Sequence, residues 1–162
     1  MPKFIISQAH FDYSMRLHKT LESWHNTPYV PYGQAEGAGV DCVRFVAAVG
    51  DALLGVDRHR VPRIHSDVAL HQPTTARSSM RYLMARYDMR KVDPGVDGVY
   101  VLEPADVLVY GPKGGGPGHA TIQGPHGFLW HAANGVGVRK TSPHNMGMDF
   151  FHVLRRRGGW SI

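Results

Sequence analysis

The first half of the chain places its apolar residues at helical spacing in three segments. Between residues 7 and 24 the apolar positions are Phe11, Met15, Leu17, Leu21 and Trp24. These positions predict a helix that starts at Ser7, a residue suited to capping. The run from 43 to 54, which ends before Gly55, predicts an apolar core helix. Residues 74–89 carry an i, i+3, i+4, i+7 apolar stripe, which predicts an amphipathic helix.

After Pro94 the pattern changes to short β-branched and aromatic runs that Gly, Pro or Asn residues bound. These runs predict strands at 99–102, 107–110, 120–123, 128–132 and 150–154. A group of helices followed by a run of strands is typical of an α+β domain with its helices packed on one side of an antiparallel sheet. The glycine-rich segment 111–118 is predicted to be a loop.

The composition is that of a globular domain. With 162 residues and 43% hydrophobic residues, we expect a single domain spanning 1–162. No apolar run approaches the ~20 residues of a membrane-spanning helix, so no membrane insertion is expected. The apolar stretch near the amino terminus is too short for a secretory signal, so we expect cytoplasmic synthesis. The chain has one cysteine, which excludes an internal disulfide.

Lysine and arginine outnumber aspartate and glutamate by 18 to 13, which suits an anionic partner such as nucleic acid, anionic lipid or cell-wall polymer. No helix-turn-helix, RNP or zinc-finger spacing supports nucleic acid. The metalloprotease motif HExxH and the CxxC pair are absent, and the glycine loop lacks the Gly-Lys-Ser/Thr end of a phosphate loop. We therefore predict no metal and no cofactor.

The single thiol, Cys42, follows Asp41 at the start of the predicted core helix. Backbone N–H groups at a helix N-terminus stabilise an anion, so this position favours a reactive thiolate. A buried cysteine that serves only packing is the alternative, because free cysteine is among the most buried residue types.

Two of the eleven histidines lie where they can act on a thiol. His119 starts one predicted strand and His131 lies near the end of the next. If these strands form a hairpin around residues 124–127, both imidazoles can point to the same face. A Cys/His pair with a third polar group that orients the histidine is the arrangement that deprotonates a thiol.

Five segments in order resemble the NlpC/P60 cysteine peptidases. NTPYVPYG (26–33) and GVDCVRFV (39–46) resemble the family signature GTPYxxGG … GxDCSGLV. VPR (61–63) looks like the family's LPR, and EPADVLVY (103–110) is similar to xPGDLVFF. GHATI (118–122) followed by LWHA (129–132) looks like HVGIY … IHA. Together these segments cover most of the chain.

The resemblance implies a papain-like NlpC/P60 fold and a set of site residues. Cys42 matches the nucleophile, His119 the general base, and His131 the residue that orients the base. Tyr29 matches a tyrosine beside the catalytic cysteine, and Asp41 matches an acidic residue that helps relatives bind the free amine of a cell-wall peptide. The chain departs from the family pattern where Val43 and Arg44 replace Ser-Gly and where Asn26 replaces the first Gly.

The resemblance further implies a cysteine hydrolase, a peptidase or amidase that cleaves an amide bond in peptidoglycan stem peptides. A non-catalytic phage-tail assembly or cell-wall-docking module on the same fold is the alternative. Because the sequence shows neither a signal peptide nor wall-binding repeats, the chain looks most like stand-alone versions delivered by phage tails, gene-transfer particles or secretion systems. Its expected place of action is the cell wall or periplasm.

Overall fold

The computed structural model describes residues 2–56 and 76–161 of the chain. Within these ranges the helices are α1 (Ser14–Trp24), α2 (Cys42–Leu53) and α3 (Ala76–Tyr87). The strands are β1 (Lys3–Ile6), β2 (Gln34–Ala35), β3 (Gly39–Val40), β4 (Met89–Val92), β5 (Val99–Leu102), β6 (Val107–Gly111), β7 (His119–Gln123), β8 (Leu129–Ala133), β9 (Gly137–Thr141) and β10 (Asp149–Arg156).

The main sheet is antiparallel and has six strands in the order β4-β10-β6-β7-β8-β9. Two smaller sheets accompany it: β1 pairs with β5 in parallel, and β2 pairs with β3 in antiparallel orientation. The predicted α+β class, with N-terminal helices packed on an antiparallel sheet, is confirmed.

Both faces of the main sheet are covered. Every residue of β6 is buried, and its side chains alternate between two hydrophobic clusters. Val107 and Val109 pack in the larger cluster with α1, α2 and α3. Leu108 and Tyr110 pack in a smaller cluster that includes Phe4 of β1. Such two-sided burial explains why β6 reads as a continuous apolar run rather than an alternating one.

The predicted start of the first helix is wrong. Residues 3–6 form β1, and α1 begins at Ser14 rather than at Ser7. Tyr13, immediately before α1, is buried and donates a hydrogen bond from its hydroxyl to the Pro104 carbonyl at 2.8 Å. This contact with a residue 91 positions away anchors the chain before the helix, and local spacing carries no sign of it.

The other helices and all five predicted strands are confirmed to within a few residues at each end. The hairpin between β7 and β8 is also present, closed by Gly124 N–H donating to the Phe128 carbonyl at 2.8 Å. Strands β4 and β9, at the two edges of the main sheet, were not predicted. The segment 61–63, one of the five resemblance segments, lies outside the described residues. In the described ranges no helix combines the length and apolarity needed to span a bilayer.

The backbone conformation of Ala105, in the turn before β6, predicts how a glycine at this position changes stability. It is fully buried and holds a left-handed φ of 71°. A left-handed conformation costs an L-residue ~1–2 kcal/mol, whereas glycine adopts it freely. We expect Ala105→Gly to change the free energy of unfolding little in urea titrations, because the released strain offsets the lost buried methyl group and the greater flexibility of glycine in the unfolded chain. Ala132→Gly, at a buried strand position without this conformation, is the control and should destabilise by ~1 kcal/mol more. An equal loss of stability in the two variants would contradict the prediction.

Candidate active site

Cys42 is the first residue of α2, and the residue before it fixes the start of the helix. Asp41 has extended backbone and caps α2: its Oδ1 accepts a hydrogen bond from Arg44 N–H at 2.9 Å. The chain reaches this cap through a short pairing in which Val40 N–H donates to the Pro28 carbonyl at 3.0 Å. Asp41 therefore sets both the first turn of α2 and the position of the thiol.

The thiol lies against the first residues of β7. Its Sγ is 3.9 Å from the Gly118 carbonyl oxygen, close to the backbone N–H of Ala120, and the Cys42 side chain is only partly buried. Gly118 and Ala120 flank His119, so α2 and β7 bring the cysteine next to the backbone of the predicted base. Long-range packing of the helix on the sheet produces this proximity, across 76 positions of sequence.

Burial raises the pKa of the Cys42 thiol to about 11. The N–H groups of Ala120, Val43 and Cys42 itself lower the pKa, and the neighbouring Asp41 raises it. The loss of water around the sulfur is the larger effect, so the thiol is protonated at neutral pH. The N–H groups at the helix N-terminus act in the direction that the sequence predicts, and desolvation acts against them.

The two histidines form a hydrogen-bonded pair. His119 Nε2 lies 2.7 Å from His131 Nδ1, and the ring centroids are 4.9 Å apart with the planes at 79°. His119 stands at the start of β7 and His131 in the middle of β8. The hairpin thus brings the two imidazoles together as the sequence predicted.

Both imidazoles are neutral over most of the pH range. Burial, and then the charge of Arg139, lowers the pKa of His119 to about 4. Burial, His119 and Arg139 lower the pKa of His131 to about 3. Since both rings are neutral, a single proton lies between His119 Nε2 and His131 Nδ1.

The structure does not join the thiol to the imidazole. Among the described residues, the hydrogen-bonding partners of Sγ are backbone groups, at Gly118, Ala120, Val43 and Cys42 itself, rather than the His119 ring. With Nε2 engaged by His131, Nδ1 is the ring nitrogen left to His119 for accepting a thiol proton. The roles of Cys42, His119 and His131 in a reaction remain predictions.

The predicted substrate residues Tyr29 and Asp41 border the same site. Tyr29 is half-buried and bridges to Val40, and burial followed by the proximity of Cys42 and Asp41 raises the pKa of its hydroxyl. The Asp41 carboxylate is already engaged: Oδ2 accepts from Arg44 Nη1 at 2.7 Å and from Tyr32 N–H at 2.9 Å. A substrate amine would have to share this carboxylate with Arg44.

Sequence reasoning treated Arg44 only as a departure from the family pattern. The structure gives it a role: it is 2% exposed, forms an ion pair with Asp41, and lies under the Tyr32 ring at 5.0 Å from the ring centroid. An acidic residue three positions before an arginine at a helix start was the signal that could have identified this pair.

Two further residues next to the histidine pair lie on β9, a strand that the sequence did not predict. Arg139 is directly opposite His131 in the β8–β9 register. Thr141 Oγ1 lies 3.4 Å from His131 Nε2. Arg139 and Thr141 are two positions apart, so they lie on the same face of a strand, and this spacing was visible in the sequence. No local signal in the sequence indicated that this strand pairs with β8.

No group of three or more histidine, cysteine, aspartate or glutamate side chains that could hold a metal ion occurs in the described residues.

Comparison with known proteins identifies the fold. No family model and no curated protein sequence matches the chain. Among solved structures, the chain is similar to the NlpC/P60 domain of the peptidoglycan hydrolase SagA, with a TM-score of 0.50, 21% identity and coverage of 85% of this chain and 95% of that one. It is also similar to a lipoprotein-like NLP/P60 family protein from Staphylococcus aureus subsp. aureus Mu50, with a TM-score of 0.56, 14% identity and coverage of 93% and 43%.

A third similar structure is an NlpC/P60 family protein from Bacillus cereus ATCC 10987, with a TM-score of 0.53, 15% identity and coverage of 86% of this chain and 39% of that one. The chain spans less than half the length of these two larger proteins. It is thus an α+β protein with a cysteine at a helix N-terminus, and its fold is the NlpC/P60 fold, as the resemblance implied.

The raised pKa of the Cys42 thiol predicts how its alkylation rate depends on pH. We expect iodoacetamide to modify Cys42 slowly at pH 7, with a rate that rises about tenfold per pH unit up to pH 10, because the thiolate is the reactive form. Mass spectrometry of the intact protein measures the rate, and free glutathione, whose rate levels off near its lower pKa, is the control. A plateau that is already reached at pH 6 would contradict a neutral thiol and indicate a thiolate–imidazolium pair.

The low pKa values of the two histidines predict a pH-dependent stability. An unfolded histidine titrates near pH ~6.5, so between about pH 6.5 and 4 the unfolded chain binds more protons than the folded one. The free energy of unfolding should therefore fall as the pH drops through this window, by at least ~1 kcal/mol. Urea titrations of His131→Asn should show a shallower dependence, whereas the exposed control His126→Asn should match the wild type. Equal slopes in both variants would refute the assignment.

Proposed function

We propose that this protein is a cysteine hydrolase, a peptidase or amidase that cleaves an amide bond in peptidoglycan stem peptides. The NlpC/P60 fold supports this class. The observation that carries the proposal is the position of Sγ 3.9 Å from the Gly118 carbonyl, next to a His119 that is hydrogen-bonded to His131 at 2.7 Å. A thiol, a base and a group that orients the base are the parts required for nucleophilic catalysis.

The proposed reaction starts from neutral partners. A rotation of the Cys42 side chain away from the Gly118 carbonyl turns Sγ toward His119 Nδ1, which takes the thiol proton as sulfur attacks the amide carbon. The new C–S bond gives a tetrahedral oxyanion, and its collapse breaks the C–N bond while His119 returns the proton to the leaving amine. Water then attacks the thioester and gives a proton to His119. Collapse of this second intermediate breaks the C–S bond and releases the acid, and His119 returns the proton to the sulfur.

The neighbouring residues have supporting roles in this proposal. His131 orients His119 through their shared proton. The backbone N–H of Cys42 stabilises the oxyanion, a contribution of ~3 kcal/mol per donor in comparable hydrolases, and the Tyr29 hydroxyl assists it or holds the substrate. Asp41 contributes to binding the free amine of the peptide in competition with Arg44.

The proposed substrate rests on two observations. The solved structure of SagA belongs to a peptidoglycan hydrolase, and its NlpC/P60 domain matches the chain along nearly the whole of that domain. The formal net charge of +5 suits the anionic polymers of a bacterial wall. We further propose that the protein acts at the cell wall or periplasm after delivery by a phage tail or a similar particle, with components of that particle as partners.

Two observations favour the alternative of a non-catalytic assembly or wall-docking module. Burial raises the pKa of Cys42 to about 11, and the described hydrogen bond of Sγ is to a backbone carbonyl. Both features are those of a cysteine that serves packing. Activity of the intact chain separates this alternative from the hydrolase.

The test is digestion of purified sacculi followed by mass spectrometry of the released muropeptides. We expect the wild type to release fragments, and both Cys42→Ala and His119→Ala to lower the release rate at least about 1000-fold, because each removes a group that takes part in bond formation. His126→Ala, on the hairpin turn, is the matched control and should retain the wild-type rate.

Undiminished release by Cys42→Ala would refute the hydrolase. Wild-type protein that binds sacculi without releasing fragments, from walls of several compositions, would support the docking module instead. Circular dichroism spectra that match the wild type ensure that a loss of release reflects chemistry and not unfolding.

A further inference from the structure

The hydrogen bonds of the histidine pair continue to a third side chain. His131 Nδ1 faces His119 Nε2 at 2.7 Å, and its other nitrogen, Nε2, lies 3.4 Å from Thr141 Oγ1. Thr141 is the last residue of β9, opposite Leu129 in the register, and is partly buried. Since His131 is 2% exposed, water has little access to its ring and Thr141 is its described partner at Nε2.

We refer to His119, His131 and Thr141 as the row. When both imidazoles are neutral, the protons of the row can be arranged in two consistent ways. In the first, His119 donates from Nε2 to His131 Nδ1, and His131 donates from Nε2 to the Thr141 oxygen. In the second, every bond is reversed: Thr141 donates to His131 Nε2, and His131 donates from Nδ1 to His119 Nε2. Each neutral ring carries one proton, so fixing one bond fixes the others.

The two arrangements differ at the nitrogen that the reaction needs. In the first, Nδ1 of His119 has a free electron pair and can accept the thiol proton. In the second, Nδ1 already carries a proton and cannot act as a base. A site that deprotonates Cys42 therefore requires the first arrangement, which in turn requires an acceptor for the buried His131 Nε2–H.

We propose that Thr141 is a positioning residue that holds His131, and through it His119, in the tautomer with the proton on Nε2. This inference rests on the proposed function for its catalytic consequence, but not for its geometry. Arg139, opposite His131 on β9, is a charged group that faces the row, and a cation beside the row disfavours adding a second proton to either ring.

Removal of the hydroxyl changes the balance between the two arrangements. A buried N–H without an acceptor is rarer in proteins, and more costly, than a buried electron pair without a donor. Thr141→Val leaves His131 with an unpaired Nε2–H in the first arrangement and only an unpaired electron pair in the second. The variant therefore shifts the pair toward the second arrangement, in which His119 is protonated on Nδ1.

The first arm of the test is kinetic, with soluble muropeptides from purified sacculi as the probe. We expect Thr141→Val to lower kcat about 10- to 100-fold with an unchanged KM, the size of effect that partners orienting a functional histidine have elsewhere. Thr141→Ser, which keeps the hydroxyl, should restore most of the rate. Thr141→Ala removes the hydroxyl with less steric change and replaces the valine variant if that variant unfolds.

The second arm is independent of activity. Nitrogen-15 spectra of histidine-labelled protein at pH 7 report which ring nitrogen carries the proton. We expect Nε2 protonation of both His119 and His131 in the wild type and in Thr141→Ser, and Nδ1 protonation in the variants that lack the hydroxyl. Wild-type tautomers in Thr141→Val or Thr141→Ala would overturn the inference. If the wild type does not release muropeptides, the proposed function fails while these spectra still decide the role of Thr141.

Discussion

The packing of the amino end of α2 against the first residues of β7 is the contact on which the candidate site depends. It holds Cys42 beside the backbone that flanks His119, although the two residues are far apart in sequence. The larger hydrophobic cluster maintains this contact, because α2 is apolar on nearly every side and packs between α1 and the sheet. The core and the candidate site are therefore two parts of one interface.

Burial at that interface has opposite effects on the acid and the base. Desolvation favours neutral forms, so it raises the pKa of the thiol and lowers the pKa of both imidazoles. A preformed thiolate–imidazolium pair is disfavoured in this environment, so in the proposed reaction the proton transfer accompanies the attack on the substrate. The position of each neutral proton then matters more than the charge of any group, which connects the row His119–His131–Thr141 with the proposed function.

The start of α2 shows how one departure from the family pattern fits into the structure. Arg44 stands where relatives have glycine, and its guanidinium occupies one carboxylate oxygen of Asp41, the residue that also caps α2. The same carboxylate holds Tyr32 through its backbone N–H. A residue that the resemblance assigns to substrate binding thus also organises the helix start and the wall beside Cys42.

The sequence by itself determined the elements that local periodicity defines. The apolar run of α2, the strands from β5 to β8 and the β7–β8 turn are specified by neighbouring residues, and the order of motifs indicated Cys42, His119 and His131. The tertiary structure decided what depends on distant partners. The Tyr13–Pro104 contact sets the approach to α1, pairing with β10 and β8 creates the edge strands β4 and β9, and burial opposes the effect of the helix N-terminus on the Cys42 thiol. Spacing along the chain records which residue types recur, whereas desolvation and the partners of His131 exist only once the sheet and helices have packed.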